Sequence, residues 1–234
     1  MKATLYLIPS ALGDTEPSRV IPSDNRIVIM SLRHFIVEDI RSARRFLKKI
    51  EPGISIDGLS FYELNEHSLP ADIASCVGPL ARGEDMGVIS EAGCPAVADP
   101  GAAAVDMAHR MGCRVAPLVG PSSVLLALMA SGFNGQNFAF NGYLPADANG
   151  RMAAIRRLES RMYADNQTQI FMETPYRNNK MAADILRSCR PSTRLCIASC
   201  VTCGDEYIRT LDIAEWNGRL PDLHRKPTIF LIYK

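Results

Sequence analysis

The sequence lacks the features that mark several large classes of protein. Its formal net charge is only +1 over 234 residues, so any RNA-binding surface has to be a local patch rather than a general basic field. No apolar run approaches the roughly 18 residues of a membrane span, and residues 5–8 are too few for a signal-peptide core. We therefore expect a soluble, cytoplasmic protein with no membrane partner.

Patterns typical of metal sites, hydrolases and dinucleotide binding are also missing. The four histidines are scattered without ligand spacing, and we expect no metal. The seven cysteines are an odd number, which favours reduced thiols over a disulfide framework. Cys196, Cys200 and Cys203 have a spacing found in metal or redox pairs, but buried thiols are the favoured interpretation because no second Cys/His pair lies nearby. There is no nucleophile elbow, no Gly-x-Gly-x-x-Gly and no Gly-Lys-Ser/Thr loop.

The chain does contain enough apolar sequence for a large core, with 47% hydrophobic and 22% charged residues. Short strands alternate with helices, which predicts an α/β fold with a largely parallel sheet. We predict two α/β domains, residues 1–113 and 114–234. The predicted strands are 3–8, 26–30, 86–90, 114–118, 169–172, 194–199, 207–211 and 228–233, and the predicted helices are 36–50, 73–81, 102–111, 124–131 and 151–162.

Three strand-to-loop turns rich in glycine, proline and small residues stand out. They are Ile-Pro-Ser-Ala-Leu-Gly-Asp at 8–14, Ser-Glu-Ala-Gly-Cys-Pro at 90–95 and Val-Gly-Pro-Ser-Ser at 119–123. Glycine lets a ligand approach the main chain, and proline makes a turn rigid. One such turn is ordinary punctuation, but three at the carboxyl ends of strands predict a small ligand held by backbone.

These turns and several further motifs resemble the ribosomal RNA small-subunit methyltransferase I family, within the tetrapyrrole-methylase superfamily. The resemblance runs in order along essentially the whole chain. Its motifs are Leu-Tyr-Leu-Ile-Pro-Ser-Ala-Leu-Gly-Asp (5–14), Glu-Asp-Ile-Arg (38–41), Asn-Glu (65–66), Ser-Glu-Ala-Gly-Cys-Pro with Asp-Pro-Gly (90–101), Pro-Leu-Val-Gly-Pro-Ser-Ser (117–123), Phe-Asn-Gly-Tyr-Leu-Pro (140–145) and Phe-Met-Glu-Thr-Pro-Tyr-Arg (171–177).

The resemblance implies two α/β domains with S-adenosylmethionine bound in a cleft between them. It also implies a homodimer and an RNA substrate, the small ribosomal subunit or its RNA, methylated on a ribose 2′-hydroxyl. Carried over position by position, the cofactor contacts fall on Pro9, Gly13, Ala92, Gly93, Cys94, Pro95, Val97, Ser122, Ser123, Met172 and Ala198.

Removal of the proton from such a hydroxyl needs a base or a desolvated pocket. Glu38, Asp39 and Arg41 are the first candidates for the acceptor side, followed by Glu66 and Glu173. The alternative for the first three is a salt-bridged helix start, because acidic residues stabilise the amino end of a helix.

Two groups of basic residues on predicted helices are candidates for phosphate contacts, although a solvated face is the default interpretation of each. They are Arg41, Arg45, Lys48 and Lys49 in the first half, and Arg151, Arg156, Arg157 and Arg161 in the second.

The sequence departs from the family pattern at several positions. Tyr176 replaces a histidine, Asp14 an asparagine and Ile40 a threonine, and Ala-Ser-Cys-Val at 198–201 stands where the family has Ala-Arg-Glu-Leu. Two other functions therefore stay open: a methyltransferase acting on a tetrapyrrole-like small molecule, and a pseudo-enzyme that binds the cofactor without using it.

Overall fold

The computed structural model describes residues 3–65 and 67–234, which form two compact units, Met1–Ser122 and Ser123–Lys234. The strands of the first unit are β1 (Thr4–Ile8), β2 (His34–Val37), β3 (Ser60–Glu63), β4 (Met86–Ile89) and β5 (Arg114–Pro117). Its helices are α1 (Ser23–Ser31), α2 (Ile40–Ile50), α3 (Pro70–Cys76), α4 (Gly78–Ala81) and α5 (Gly101–Arg110).

The first sheet has the strand order β3-β2-β4-β1-β5, and all of its pairings are parallel. Every residue of β4 is buried, as expected for an inner strand covered by helices on both faces. Since parallel strands end at the same edge of a sheet, the turns after β1, β4 and β5 leave neighbouring positions of that edge. This topology places the three predicted turns side by side.

The second unit contains a mixed sheet. Its strands are β6 (Phe138–Tyr143), β7 (Thr168–Met172), β8 (Arg194–Ser199), β9 (Tyr207–Asp212) and β10 (Thr228–Tyr233), and its helices are α6 (Ser123–Ser131), α7 (Ala148–Asp165), α8 (Asn178–Ser188) and α9 (Ile213–Trp216). The strand order is β6-β7-β10-β8-β9, in which only β6 and β7 pair in parallel. The last strand, β10, therefore forms the centre of this sheet.

The core of the second unit contains two large polar side chains that have hydrogen-bond partners. Trp216 is fully buried, and its Nε1 donates to the Leu195 carbonyl at 3.0 Å. Arg151 is also buried, with Nη2 at 2.6 Å from Asp184 Oδ2 and Nη1 donating to the Ala146 carbonyl at 2.7 Å. Arg151 is neither a phosphate contact nor part of a solvated face, the two interpretations that the sequence offers, because it joins α7 to α8 inside the core.

The predicted helix 73–81 is two helices, α3 and α4, and two other predicted elements of the first half differ from the structure in type. The apolar run at 26–30 was predicted to be a strand but lies in α1, where Ile29 is buried and Ile27 is 70% exposed. Short apolar runs do not separate helix from strand by periodicity alone. The predicted helix 36–50 begins as strand β2 and becomes helical only after Asp39, because residues 35–37 fill an inner position of the sheet.

The division between the units falls after Ser122, beyond the predicted domain boundary after residue 113. The physical reason is strand β5, which pairs with β1 and so completes the first sheet. All seven cysteines are free thiols. Within residues 3–65 and 67–234, no helix has both the length and the apolar character needed to cross a bilayer.

Candidate functional site

The turns after β1 and β4 are joined through their main chains. The Ser10 amide donates to the Gly93 carbonyl at 3.0 Å, and the Gly93 amide donates to the Ser10 carbonyl at 3.2 Å. The buried Ser90 hydroxyl also donates to the Gly93 carbonyl, at 2.5 Å. Gly93 adopts φ +77°, where a side chain is strained, and a Cβ there would lie 3.3 Å from the Pro121 carbonyl oxygen. The junction therefore requires glycine.

The turn after β5 packs on the same junction. A Cβ at Gly120 would lie 2.2 Å from Cγ of Pro9, so the Gly120 backbone packs directly on the Pro9 ring. The Cys94 thiol donates to the Pro121 carbonyl at 3.4 Å, and the buried Asn25 amide group donates to the Val119 carbonyl at 2.8 Å. The three turns predicted from the sequence thus form one rigid cluster, which we call the three-turn junction: residues 9–13, 90–95 and 119–122.

The loop that follows Pro95 holds two alanines in a left-handed conformation. Ala96 has φ +65° and Ala98 has φ +60°, and Val97 between them is 51% exposed. The Asp99 carboxylate holds this loop by accepting the Ala96 amide at 2.7 Å and the Gly101 amide at 2.8 Å. Strained backbone of this kind persists where the surroundings enforce it, and it clusters at ligand sites.

Most predicted cofactor contacts lie in or beside the three-turn junction. Pro9, Gly13, Val97, Ser122 and residues 92–95 belong to the first unit. Ser123, Met172 and Ala198 belong to the second unit, in which Met172 and Ala198 flank Ile229 on neighbouring strands. Ala198 is fully buried, whereas Ala92 and Val97 are exposed. The exposed residues Ala92 and Val97, next to the left-handed backbone of Gly93 and Ala96, fit a ligand bound through its polar edges.

Of the predicted acceptor residues, Glu38 has the environment of a functional carboxyl. It follows β2, the neighbour of β4, and together with Asp99 it lines a cavity of about 10 Å³, room for one water molecule. Burial raises the pKa of Glu38, and the negative charges of Asp99 and Glu91 raise it further, against a hydrogen bond from the Glu91 backbone. Burial also raises the pKa of Asp99, although its two amide bonds favour the charged form.

Asp39 and Arg41 have different surroundings from Glu38. The Asp39 carboxylate is the N-cap of α2 and accepts the Ser42 amide at 2.7 Å, a bond that holds the pKa of Asp39 below its ordinary value. Arg41 is exposed in the first turn of α2. Asp39 thus stabilises the amino end of α2, as the structural alternative predicts, although it does so by capping the helix.

An open pocket of about 430 Å³ lies between α2 and two of the turns. Its lining includes Gly13, Glu91, Phe46 and the basic residues Arg45 and Lys49. Arg45 Nη2 donates to the Ser42 hydroxyl at 3.1 Å, and Lys49 Nζ lies 3.3 Å from Asp14 Oδ1. Two basic side chains therefore line a pocket that is also lined by the turn containing Gly13, a predicted cofactor contact.

Glu66 and Glu173 are the two further candidates for the acceptor side. Glu66 lies outside the described residues. The Glu173 side chain is fully buried, and its Oε1 accepts Arg177 Nη2 and the Thr174 amide, each at 2.6 Å. Burial raises the pKa of Glu173, but these two bonds outweigh it, so that the pKa is lowered. Glu173 is therefore an ion-paired carboxylate that anchors the turn after β7.

The sequence predicts no role for Glu91 or Asp99, although both lie in the Gly/Pro-rich loop after β4. Their importance depends on the strand order, since β4 and β2 are neighbours and their following residues share one edge. Had the sequence been read with β4 beside β2 in a parallel sheet, it would have predicted that Glu38, Glu91 and Asp99 lie close together.

The chain resembles curated proteins along most of its length. It is 30% identical over 212 residues to the ribosomal RNA small subunit methyltransferase I of Pseudomonas aeruginosa, covering 91% of this chain and 71% of the relative. It is 28% identical to the protein of the same name from Vibrio cholerae, covering 90% of this chain and 69% of the relative. The Escherichia coli O157:H7 relative is 29% identical, with 59% of its length covered. No family model matches the chain.

Solved structures with the same fold are more distant in sequence. The methyltransferase CobJ superposes with a TM-score of 0.66 at 15% identity, over 99% of this chain and 93% of that chain. A uroporphyrin-III C-methyl transferase from Thermus thermophilus, in complex with S-adenosylhomocysteine, gives a TM-score of 0.58 at 13% identity, over 99% of this chain and 97% of that chain. The predicted α/β fold of the tetrapyrrole-methylase type and the predicted methyltransferase class are confirmed. The chain belongs to the ribosomal RNA small subunit methyltransferase I family.

Proposed function

We propose that this chain is a cytoplasmic S-adenosylmethionine-dependent methyltransferase that methylates a ribose 2′-hydroxyl of small-subunit ribosomal RNA. The observation that carries the proposal is the three-turn junction, in which turns far apart in sequence are held together by the Ser10–Gly93 bonds. The names of the relatives support the ribosomal RNA substrate, and the S-adenosylhomocysteine complex of a neighbour with the same fold supports the cofactor.

The junction residues Pro9, Gly13, Ala92, Gly93, Cys94, Pro95, Val97 and Ser122 are assigned to the cofactor, together with Ser123, Met172 and Ala198. S-adenosylmethionine supplies an activated methyl group, so the protein itself has to position the acceptor and receive its proton. The tight Gly93 and Gly120 backbones and the small side chains of the junction fit an adenosine held by main-chain groups.

We assign proton removal from the acceptor hydroxyl to Glu38. Its raised pKa makes its carboxylate a better proton acceptor than a solvated glutamate. Asp39 is a positioning residue, because its cap fixes the first turn of α2 and with it Arg41. Arg41 then serves the acceptor side as an exposed cation, and Arg45 and Lys49 at the 430 Å³ pocket contact RNA phosphates.

A homodimer is part of the proposal. Helix α6 has no charged residue in its sequence Ser-Val-Leu-Leu-Ala-Leu-Met-Ala-Ser. One face, with Ala127 and Leu128, is buried, whereas Leu125 and Met129 are 50% and 78% exposed on another face one turn apart. A helix that is apolar all round is normally covered, and a second copy of this chain would cover the exposed face.

The function is tested by incorporation of labelled methyl groups from S-adenosylmethionine. We expect incorporation into small ribosomal subunits or their RNA, at one ribose that is unmethylated in cells without the gene. Incorporation into a metabolite extract instead would establish a small-molecule methyltransferase. Cofactor binding without incorporation into either would establish a pseudo-enzyme.

A further inference from the structure

Tyr176 is an exposed aromatic residue with a basic side chain on its ring. It follows β7 and is 69% exposed. The Arg225 guanidinium lies over the Tyr176 ring, 5.7 Å from its centroid, and the His224 ring meets it edge-on at 6.1 Å and 71°. This exposure leaves much of the tyrosine ring accessible. We call Tyr176, His224 and Arg225 the tyrosine platform.

The backbone under the platform is fixed by hydrogen bonds between two loops. The Arg225 amide donates to the Pro175 carbonyl at 3.0 Å, and the Asn178 side chain donates to the Lys226 carbonyl at 2.6 Å. The Leu223 amide donates to the side-chain oxygen of Asn179 at 2.7 Å. Arg225 itself has φ +60°, a conformation that a non-glycine residue keeps only where its surroundings enforce it. The platform is therefore ordered before any ligand arrives.

Two further basic residues adjoin the platform in sequence, and the Asp222 carboxylate accepts the His224 amide at 3.0 Å. Arg177 is bonded to the buried Glu173, yet its side chain remains 41% exposed. Lys226 lies 3.6 Å from Asp205, with its side chain 39% exposed. No other exposed large apolar residue occurs within 173–180 or 221–227, two stretches that the structure describes throughout. An isolated aromatic ring among cations is typical of single-stranded nucleic acid recognition and lacks the apolar surround of a protein interface.

We propose that the tyrosine platform stacks an unpaired base of the RNA substrate, with Arg225 and Arg177 contacting its phosphates. This inference rests on the proposed function. Single-stranded RNA is read by splaying bases onto aromatic rings and arginine planes, and a preordered ring minimises the entropy lost on binding. The platform also lies four residues after Met172, a proposed cofactor contact, so a base held here is tied by the short segment 173–175 to the cofactor-binding strand.

The test measures binding of a fluorescein-labelled single-stranded oligoribonucleotide to the full chain by fluorescence anisotropy. Loss of one base stack in Tyr176→Ala is expected to weaken binding by about 5- to 150-fold, while Tyr176→Phe stays close to the wild type. Tyr143→Ala is the matched control, because Tyr143 is another exposed tyrosine of the second unit, 57% accessible. Arg225→Gln should reduce the slope of log affinity against log salt by about 0.7, the effect of one lost phosphate contact to a single strand.

Calorimetry with S-adenosylhomocysteine on the same variants separates this inference from the proposed function. Unchanged cofactor affinity with weakened RNA binding in Tyr176→Ala supports the platform. Equal RNA binding by Tyr176→Ala and the wild type overturns the platform and leaves the proposed function standing. A lower mass of Tyr176→Ala in light scattering, with RNA affinity unchanged, would show a contact between chains and overturn the RNA assignment. A wild-type chain that binds no RNA and methylates none overturns both.

Discussion

Gly93 and Gly83 share a left-handed backbone, with φ +77° and +82°, but differ in their surroundings. A Cβ at Gly83 meets nothing within 4 Å, whereas one at Gly93 meets Leu12 and the Pro121 carbonyl. Alanine at either position costs about 1–2 kcal/mol of backbone strain. We expect Gly93→Ala to lose affinity for S-adenosylhomocysteine in calorimetry, and Gly83→Ala to keep it at a comparable loss of thermal stability. Normal cofactor binding by folded Gly93→Ala would remove the junction from the cofactor site.

The assigned base makes Glu38→Gln a sharp test. We expect methyl transfer to fall by about 100- to 10,000-fold, the contribution of a general base, without loss of cofactor binding. Because charging the half-buried Glu38 is unfavourable, the variant should melt no lower than the wild type at neutral pH. Glu63→Gln, at the exposed end of β3, is the control. A full rate in Glu38→Gln would assign the proton to another acceptor.

The raised pKa of Glu38 also predicts opposite pH dependences for activity and stability. The base works only when deprotonated, so the rate should fall as the pH drops through a value above the ordinary 4.5 of glutamate. The raised pKa also means that folding favours the protonated form of Glu38, compared with the unfolded chain. Stability from this group is therefore present below the unfolded pKa and is lost as the pH rises through the folded pKa. Pre-steady-state rates and melting curves of the wild type and Glu38→Gln measure both effects.

At the scale of elements, Asp39 tests how α2 begins. Asparagine caps a helix about as well as aspartate, whereas alanine does not. We expect Asp39→Asn to keep the melting temperature and most of the methyl-transfer rate, and Asp39→Ala to lower the melting temperature by about 2–4 °C. A severe rate loss in Asp39→Asn at an unchanged melting temperature would make Asp39 a catalytic residue.

The elements also show how far the sequence predicts this fold. The β5 and β8 segments and the three turns were predictable, because apolar runs end at glycine, proline and serine. The strand β2 was not, since its four residues become a strand only by insertion between β3 and β4. The buried role of Arg151 depends on Asp184, which lies on a different helix. The local sequence pattern predicts where turns occur. The pairing of distant segments decides which strands lie inside a sheet, which side chains are buried and which charged residues pair.

The candidate site follows the same division. The glycines at 93 and 120 are visible in the sequence, because a left-handed backbone at one and close approach to Pro9 at the other both require glycine. The surroundings of Glu38 are not visible in the sequence, because the negative charge of Asp99 comes from a residue about sixty positions later in the chain. Asp99 lies in a loop whose two alanines are held in left-handed conformations, which the sequence does not indicate either.

At the scale of the whole molecule, the exposed face of α6 predicts association. Light scattering of the wild type at micromolar concentration should give twice the 25.7 kDa mass of one chain. Met129→Glu puts a charge on that face and should lower the mass to that of one chain, whereas Ile27→Glu, an exposed apolar position on α1, should not. A wild type with the mass of one chain contradicts the dimer.

The strand order has a consequence for the order of assembly during synthesis. Strand β1 is made before its sheet neighbours β4 and β5, so Leu5 can pair with Met86, and Thr4 with Arg114, only after those later strands have been made. Closing such long loops is entropically costly and slows folding. The Ser10–Gly93 and Pro9–Gly120 contacts can form only after that closure. The ability to bind the cofactor should therefore appear late in biosynthesis, and its appearance would report that the first unit has folded.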